Sequence, residues 1–312
     1  MTERRTDIET PGAVLAELLG ASKTYGSGGA ATLAVQDVDL SVRAGELLAV
    51  LGPNGAGKTT ALGMLTGLTT PTSGTARLFG RDPRDLAARQ RMGVMLQSSG
   101  VPDTLRVREL LASFRGYYPA PLPVASVVEA AGLGGLEGRL FGTLSGGQQR
   151  RVLFGIALCG DPELVFVDEP TTGLDAEVRR TLWATLRDLA ATGRGVVLTT
   201  HYLEEADALA DRVVVLNQGR VIAEGTPAQI KSLVPGRRIS AESSIGAQQA
   251  SGWAGVHHAQ RDGTRLELLV SEPEPVLREL LHRDRSVTGV PVTEPTLEDA
   301  FLTLTERTEE AA

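Results

Sequence analysis

The chain has 312 residues, 42% hydrophobic and 22% charged, with a formal net charge of −7. This composition is globular, leaves length for a large core and a second domain, and gives no electrostatic case for nucleic acid as a partner. The single Cys159 excludes an internal disulfide and fits a reducing compartment, and no apolar run approaches the ~18 residues of a membrane span.

In chain order, residues 1–12 read as a disordered lead, polar and without the apolar stretch of an export signal. The chain is therefore expected to be cytosolic by itself, any membrane role coming through a partner. Short β-like runs follow at Val14–Leu19, Leu33–Val42, Glu46–Leu51 and Thr75–Phe79, with a hairpin turn at the glycine-rich segment 26–29. Between the third run and a helical pattern starting at Thr59 stands Gly52-Pro53-Asn54-Gly55-Ala56-Gly57-Lys58-Thr59-Thr60. Its glycines free backbone N–H groups to face an anion. Lys58 is suited to the β- and γ-phosphates of a nucleotide, and the Thr59 hydroxyl to Mg²⁺. The phosphates would lie on a helix N-terminus. This phosphate cradle occurs once.

Met92–Gln97 reads as a strand. Residues 98–143 then change character: Val107–Tyr118, Val124–Ala131 and Leu136–Phe141 are helical or loop-like, broken by Pro119, Pro121 and Pro123. They are expected to form a helical subdomain inserted into an α/β core. Next come helix Gly147–Leu158, strand Leu164–Val167, helix Ala176–Ala191, strand Gly195–Thr199, helix Leu203–Leu209 and strand Arg212–Asn217. That alternation predicts a parallel sheet. Leu164–Val167 runs into Asp168 and Glu169, so an acid at the strand's C-terminal end is available to Mg²⁺ beside Thr59. Glu169 is available to polarise water. Taken alone, such a segment is ordinarily a core strand entering an acidic turn. Leu144-Ser145-Gly146-Gly147-Gln148 precedes a helix and forms a second anion-receiving turn. A second chain's Ser145 loop would cover the open γ-phosphate face of a nucleotide in the first chain's cradle.

A boundary is expected around Val234-Pro235-Gly236. Beyond it the pattern is strand Arg238–Ala241, a short helix near Ile245–Trp253, a hairpin Val256–Arg261 and Thr264–Val270, helix Pro273–His282, strand Val287–Val292 and helix Thr296–Thr305. This segment has no cradle, no acid pair at a strand end and no metal-ligand spacing, so it reads as folded and non-catalytic.

Over residues 13–233 the chain resembles the ATP-binding-cassette subunits of transporters, with every element in order. The resemblance implies a P-loop NTPase (ABC ATPase) fold of the α/β class. It further implies an antiparallel β subdomain, an inserted helical subdomain at about 98–160, and a small α+β accessory domain at 236–312. It implies that Tyr25 stacks on adenine, that Gln97 links the Mg²⁺ site to the membrane partner, and that Leu144–Gln148 is the signature turn. Asp168 and Glu169 match the magnesium and catalytic acids, Gly173-Leu174-Asp175 the loop at the dimer interface, and His201 the switch histidine at the γ-phosphate. The tail Glu294-Pro295-Thr296-Leu297-Glu298-Asp299-Ala300-Phe301 is similar to the closing motif of daunorubicin-resistance-type export cassettes of the ABC-2 class, with Ala300 where a bulkier apolar residue is more usual.

The expected activity is thus ATP hydrolysis, with ATP and Mg²⁺ bound, in a homodimer that sandwiches ATP. Such a dimer drives a separate membrane permease on the cytoplasmic side of the membrane and exports drugs, antibiotics or lipids. The alternatives are a soluble ABC-type ATPase without a transport role and a non-hydrolysing dimerisation module. Tandem cassettes, a long coiled-coil insertion or a basic tail would favour the first, and loss of Glu169 or His201 the second. The sequence has none of these features.

Overall fold

The computed structural model describes residues 12–26, 31–96, 100–171, 173–234 and 236–310. It divides into two compact units, one reaching Glu224 and one starting at Gly225.

The first unit begins with β1 (Val14–Tyr25), β2 (Thr32–Arg43), β3 (Leu47–Leu51), α1 (Lys58–Leu65) and β4 (Ser73–Leu78). Then come α2 (Leu86–Arg89), β5 (Met92–Met95), α3 (Val107–Arg115), α4 (Val124–Ala130) and α5 (Gly146–Leu158). It closes with β6 (Leu164–Asp168), α6 (Ala176–Ala191), β7 (Gly195–Thr199), α7 (Leu203–Leu209), β8 (Arg212–Asn217) and β9 (Arg220–Gly225), whose last residue crosses the division. Strands β2, β1 and β4 form an antiparallel sheet in that order. The other sheet has six strands in the order β5-β6-β7-β3-β8-β9. The pairs β5–β6, β6–β7, β7–β3 and β3–β8 are parallel.

Strands β3, β6 and β7 are buried along their whole lengths. Their near-continuous Val, Leu and Phe content follows from being covered on both faces. The three strands end side by side, at Leu51, Asp168 and Thr199, and Asp168 is the register partner of Thr199. In open parallel sheets the crevice at the strands' C-terminal ends is where ligands bind.

The sequence reading misses β9 and α8 (Pro227–Ser232). β9 returns from β8 through Gln218-Gly219, both at positive φ as a two-residue hairpin turn requires. Its half-buried residues give a weak apolar signal. Leu136–Phe141 contains no α-helix; the segment ends in a single 3₁₀ turn at Phe141–Thr143. Of the hairpin turn expected at 26–29, residues 27–29 lie outside the described residues; the flanking strands pair antiparallel, with Tyr25 opposite Thr32.

In the second unit α8 is followed by β10 (Arg237–Glu242), α9 (Ala247–Ala250), β11 (Val256–Asp262), β12 (Arg265–Val270), α10 (Pro273–Arg283), β13 (Val292–Thr293) and α11 (Leu297–Glu310). The strand order is β11-β12-β10-β13. Ile239, Leu266, Leu268, Val270, Val276 and Leu280 form its own core. The strand expected at Val287–Val292 shrinks to β13 and one bridge from Thr288 to Glu242. Gly289, at φ +60°, and Pro291 interrupt the run.

The closing motif of the tail has a local function in this unit. Thr296 and Asp299 cap α11 reciprocally, Thr296 N–H donating to Asp299 Oδ2 (2.7 Å) and Asp299 N–H to Thr296 Oγ1 (3.2 Å). Arg238 on β10 donates to both Asp299 oxygens (2.8 Å each) and to Glu267 on β12. The side chains of Arg238 and Asp299 are 12% and 6% exposed, so removing the arginine leaves the Asp299 carboxylate buried without its counter-charge. Arg238→Ala is expected to destabilise the second unit by about 3 kcal/mol or more. Denaturant unfolding followed by Trp253 fluorescence checks this, an unchanged midpoint being the contrary result.

Candidate nucleotide site

β3 delivers the chain into the cradle and α1 leaves it. Gly52 packs so tightly that a Cβ there would lie 2.4 Å from the Leu216 carbonyl oxygen. Gly57, at φ +103°, would place one 2.6 Å from that of Ala34. Neither position admits another residue without backbone movement. Pro53, Asn54 and Gly55 are exposed, Ala56 is buried, and Thr59 opens to solvent one residue into α1.

Lys58 is only 8% exposed, and its Nζ donates to the carbonyl oxygens of Gly52 (2.6 Å) and Pro53 (3.1 Å). Burial lowers its pKa from the usual lysine value; the negative charges of Glu169 and Asp168 work in the opposite direction. The structure therefore brings the cradle lysine and the acid pair into one electrostatic neighbourhood. The donor set is hard oxygen: an exposed threonine hydroxyl and one buried carboxylate. Such a set fits Mg²⁺, which is commonly held by one or two carboxylates plus substrate phosphates and water. Among the described residues no group of three or more His, Cys, Asp or Glu side chains is placed to hold a metal without such help.

Asp168 is 6% exposed and ends β6. Glu169 follows at φ +46°, a left-handed conformation seldom adopted outside glycine, asparagine and aspartate. Its Oε1 lies 3.4 Å from Nδ1 of His201, whose side chain is 45% exposed. Ser145 caps α5: its Oγ accepts from Gln148 N–H (3.3 Å), and its own N–H donates to Gln148 Oε1 (3.1 Å). Gly146 is exposed, while Gly147 meets the loop Gly173-Leu174-Asp175, because Leu174 Cδ2 sits 3.1 Å from where a Cβ would stand. Tyr25 is 44% exposed, with Lys23 Nζ 5.2 Å from its ring centre. Gln97 lies outside the described residues.

A model of the ABC transporter family matches residues 35–172. The chain is 38% identical to the daunorubicin/doxorubicin resistance ATP-binding protein DrrA of Streptomyces peucetius, over 95% of this chain and 96% of that protein. It is 40% identical to a Nod factor export ATP-binding protein I of Burkholderia lata, over 88% and 93% of the two chains. The chain belongs to the ATP-binding subunits of ABC transporters.

Solved structures agree on the fold of this ABC subunit. A dimeric bacterial ABC transporter cassette superposes with a TM-score of 0.62 at 26% identity, covering 68% of this chain and 98% of that one. The same cassette in a post-hydrolysis state with ADP and Pi gives 0.63. The chain is thus an ABC-type ATPase with a P-loop NTPase core, an antiparallel β subdomain and inserted helices.

Two side chains of this ABC ATPase escape sequence reasoning. Thr199 Oγ1 donates to Asp168 Oδ1 and receives the Glu169 N–H (3.2 Å), which also bonds the Thr199 carbonyl (3.0 Å). Thr199 is fully buried, two residues before His201, so one threonine grips both acids. A hydroxyl side chain at the end of a wholly apolar strand was the available signal. Arg150 on α5 donates through Nη1 to the Glu169 carbonyl oxygen (2.8 Å). No local pattern marks that contact, which spans 19 positions to a main-chain atom.

Proposed function

We propose that the chain is the ATP-hydrolysing motor of an export complex, working as a nucleotide-sandwiched homodimer on the cytoplasmic face of the membrane beneath a separately encoded permease. The observation that supports this most is that the resemblance to export subunits spans both units, reaching 95% of the chain. Relatives named for daunorubicin/doxorubicin resistance and for Nod factor export favour amphipathic drugs, antibiotics or lipids as cargo. Among the described residues no helix is long and apolar enough to cross a membrane. The translocation path is therefore assigned to a partner.

In this reading Tyr25 stacks on adenine, and residues 52–60 wrap the phosphates. Lys58 exchanges its two carbonyl partners for phosphate oxygens. Thr59, Asp168 and Gln97 would hold Mg²⁺, which would neutralise charge on the phosphates. Glu169 Oε1 accepts the proton of the attacking water, and His201 steadies that carboxylate and faces the γ-phosphate. Ser145, Gly146, Gly147 and Gln148 of a second chain close the remaining phosphate face with the N-terminus of α5.

The test uses the full chain carrying Glu169→Gln, which would trap ATP. With Mg-ATP its mass in solution is expected to double from 32.9 kDa. From membranes of the native host it is expected to carry along a polytopic membrane protein. A chain that stays monomeric with Mg-ATP, alone and with membranes, and captures no such protein contradicts the proposal.

A further inference from the structure

We propose that Arg150 is a positioning residue for Glu169, tying the signature helix α5 to the main chain of the hydrolytic glutamate. This rests on the reading of Glu169 as the residue that activates water.

Glu169 is held at both ends of its own residue. On one side its N–H is received by the Thr199 carbonyl (3.0 Å) and hydroxyl (3.2 Å) at the end of β7. On the other its carbonyl oxygen accepts from Arg150 Nη1 at 2.8 Å. Between these two anchors lies the strained φ of +46°. A non-glycine residue keeps a left-handed backbone when its surroundings over-determine it. The β7 anchor fixes the N-terminal peptide of Glu169, and the bond from Arg150 holds the carbonyl of the peptide that joins it to Pro170. A shift of that carbonyl would redirect the carboxylate, whose Oε1 lies 3.4 Å from His201 Nδ1. Arg150 supplies the second anchor.

The choice of an arginine has a physical reason. The guanidinium is permanently charged and rigid, and its bond to a carbonyl oxygen is charge-assisted. The next residue, Arg151, points its guanidinium elsewhere and donates to the Gly132 carbonyl at the end of α4 (2.7 Å). Consecutive arginines on α5 therefore bind it to two places, one in the inserted helices and one at the acid pair. The N-terminus of α5 carries Ser145, so a displacement of the signature turn reaches Glu169 through five residues of helix and one hydrogen bond.

The experiment compares Arg150→Met and Arg150→Lys in the full chain. Methionine keeps the apolar stem and loses every donor; lysine keeps a charged donor group. Steady-state kcat and KM for Mg-ATP and the Kd for a fluorescent ATP analogue are measured on each, together with single-turnover rates in the Glu169→Gln background. Arg150→Met is expected to lower kcat by roughly 10- to 100-fold, the scale of a small misplacement of a reacting group, with Kd within twofold. Arg150→Lys is expected to recover at least a third of the lost rate. In the Glu169→Gln background Arg150→Met is expected to change nothing, because a residue acting through Glu169 has nothing left to position.

An unchanged kcat in Arg150→Met, an equal loss in both backgrounds, or a lysine variant as slow as the methionine one would each overturn the proposal. If Glu169→Gln itself turns over at the parental rate, the reading of the base fails instead, and the two failures are told apart. Should Arg150→Met not fold, Arg150→Gln, shorter and uncharged, takes its place on the same kcat and Kd criteria.

Discussion

Glu169→Gln is expected to reduce ATP turnover by about 10²–10⁴-fold while leaving nucleotide affinity within a factor of two. General-base catalysis is worth about that much, and an amide cannot accept the proton. The substitution should be structurally mild. The contacts with Thr199 and Arg150 that hold this residue use its main-chain N–H and C=O, which glutamine keeps. The His201 contact also survives in part, since glutamine retains one acceptor oxygen. Turnover is read by phosphate release and affinity by equilibrium binding of a fluorescent analogue on the same preparation. Parental turnover would remove Glu169 from the chemistry and transfer attention to His201.

Lys58→Ala is expected to act on binding first. A charge-assisted hydrogen bond contributes about 1.5–3 kcal/mol, which corresponds to a roughly 10- to 100-fold weaker Kd. The lost cation also leaves Asp168 and Glu169, whose charges act on Lys58 directly, to repel an incoming triphosphate. Lys58→Arg is not expected to restore affinity. The ammonium sits at 8% exposure between the Gly52 and Pro53 carbonyls, and a forked guanidinium does not fit that enclosure. An alanine variant that binds Mg-ATP as tightly as the parent would show that the main-chain N–H groups and Mg²⁺ carry the phosphates without it.

The cradle was legible because three signals coincide within fifteen residues: a wholly apolar strand, glycines where backbone approaches backbone, and a lysine opening a helix. The acid pair was legible for a related reason, since an apolar run as short as Leu164–Val167 ending in two carboxylates has few other uses next to a cradle. What lay hidden was how these parts hold one another. Thr199 meets Asp168 through the parallel register of two strands separated by α6, and no spacing rule expresses that pairing. Arg150 meets a carbonyl, and carbonyls are the same at every position of a sequence. The left-handed backbone of Glu169 was invisible as well, because the residue type argues against it. β9 and α8, on either side of the division between the units, were overlooked where half-buried residues blur the period, and in the second unit the Val287–Val292 strand was overestimated because β-branched residues outweighed Gly289 and Pro291.

The carbonyl oxygens of Gly52 and Pro53 hold the Lys58 ammonium in the place a phosphate would otherwise neutralise. The loop thus carries an internal stand-in for its substrate. The acceptors are main-chain atoms, so no side-chain substitution along the loop removes them, and the buried ammonium is partnered by the backbone itself.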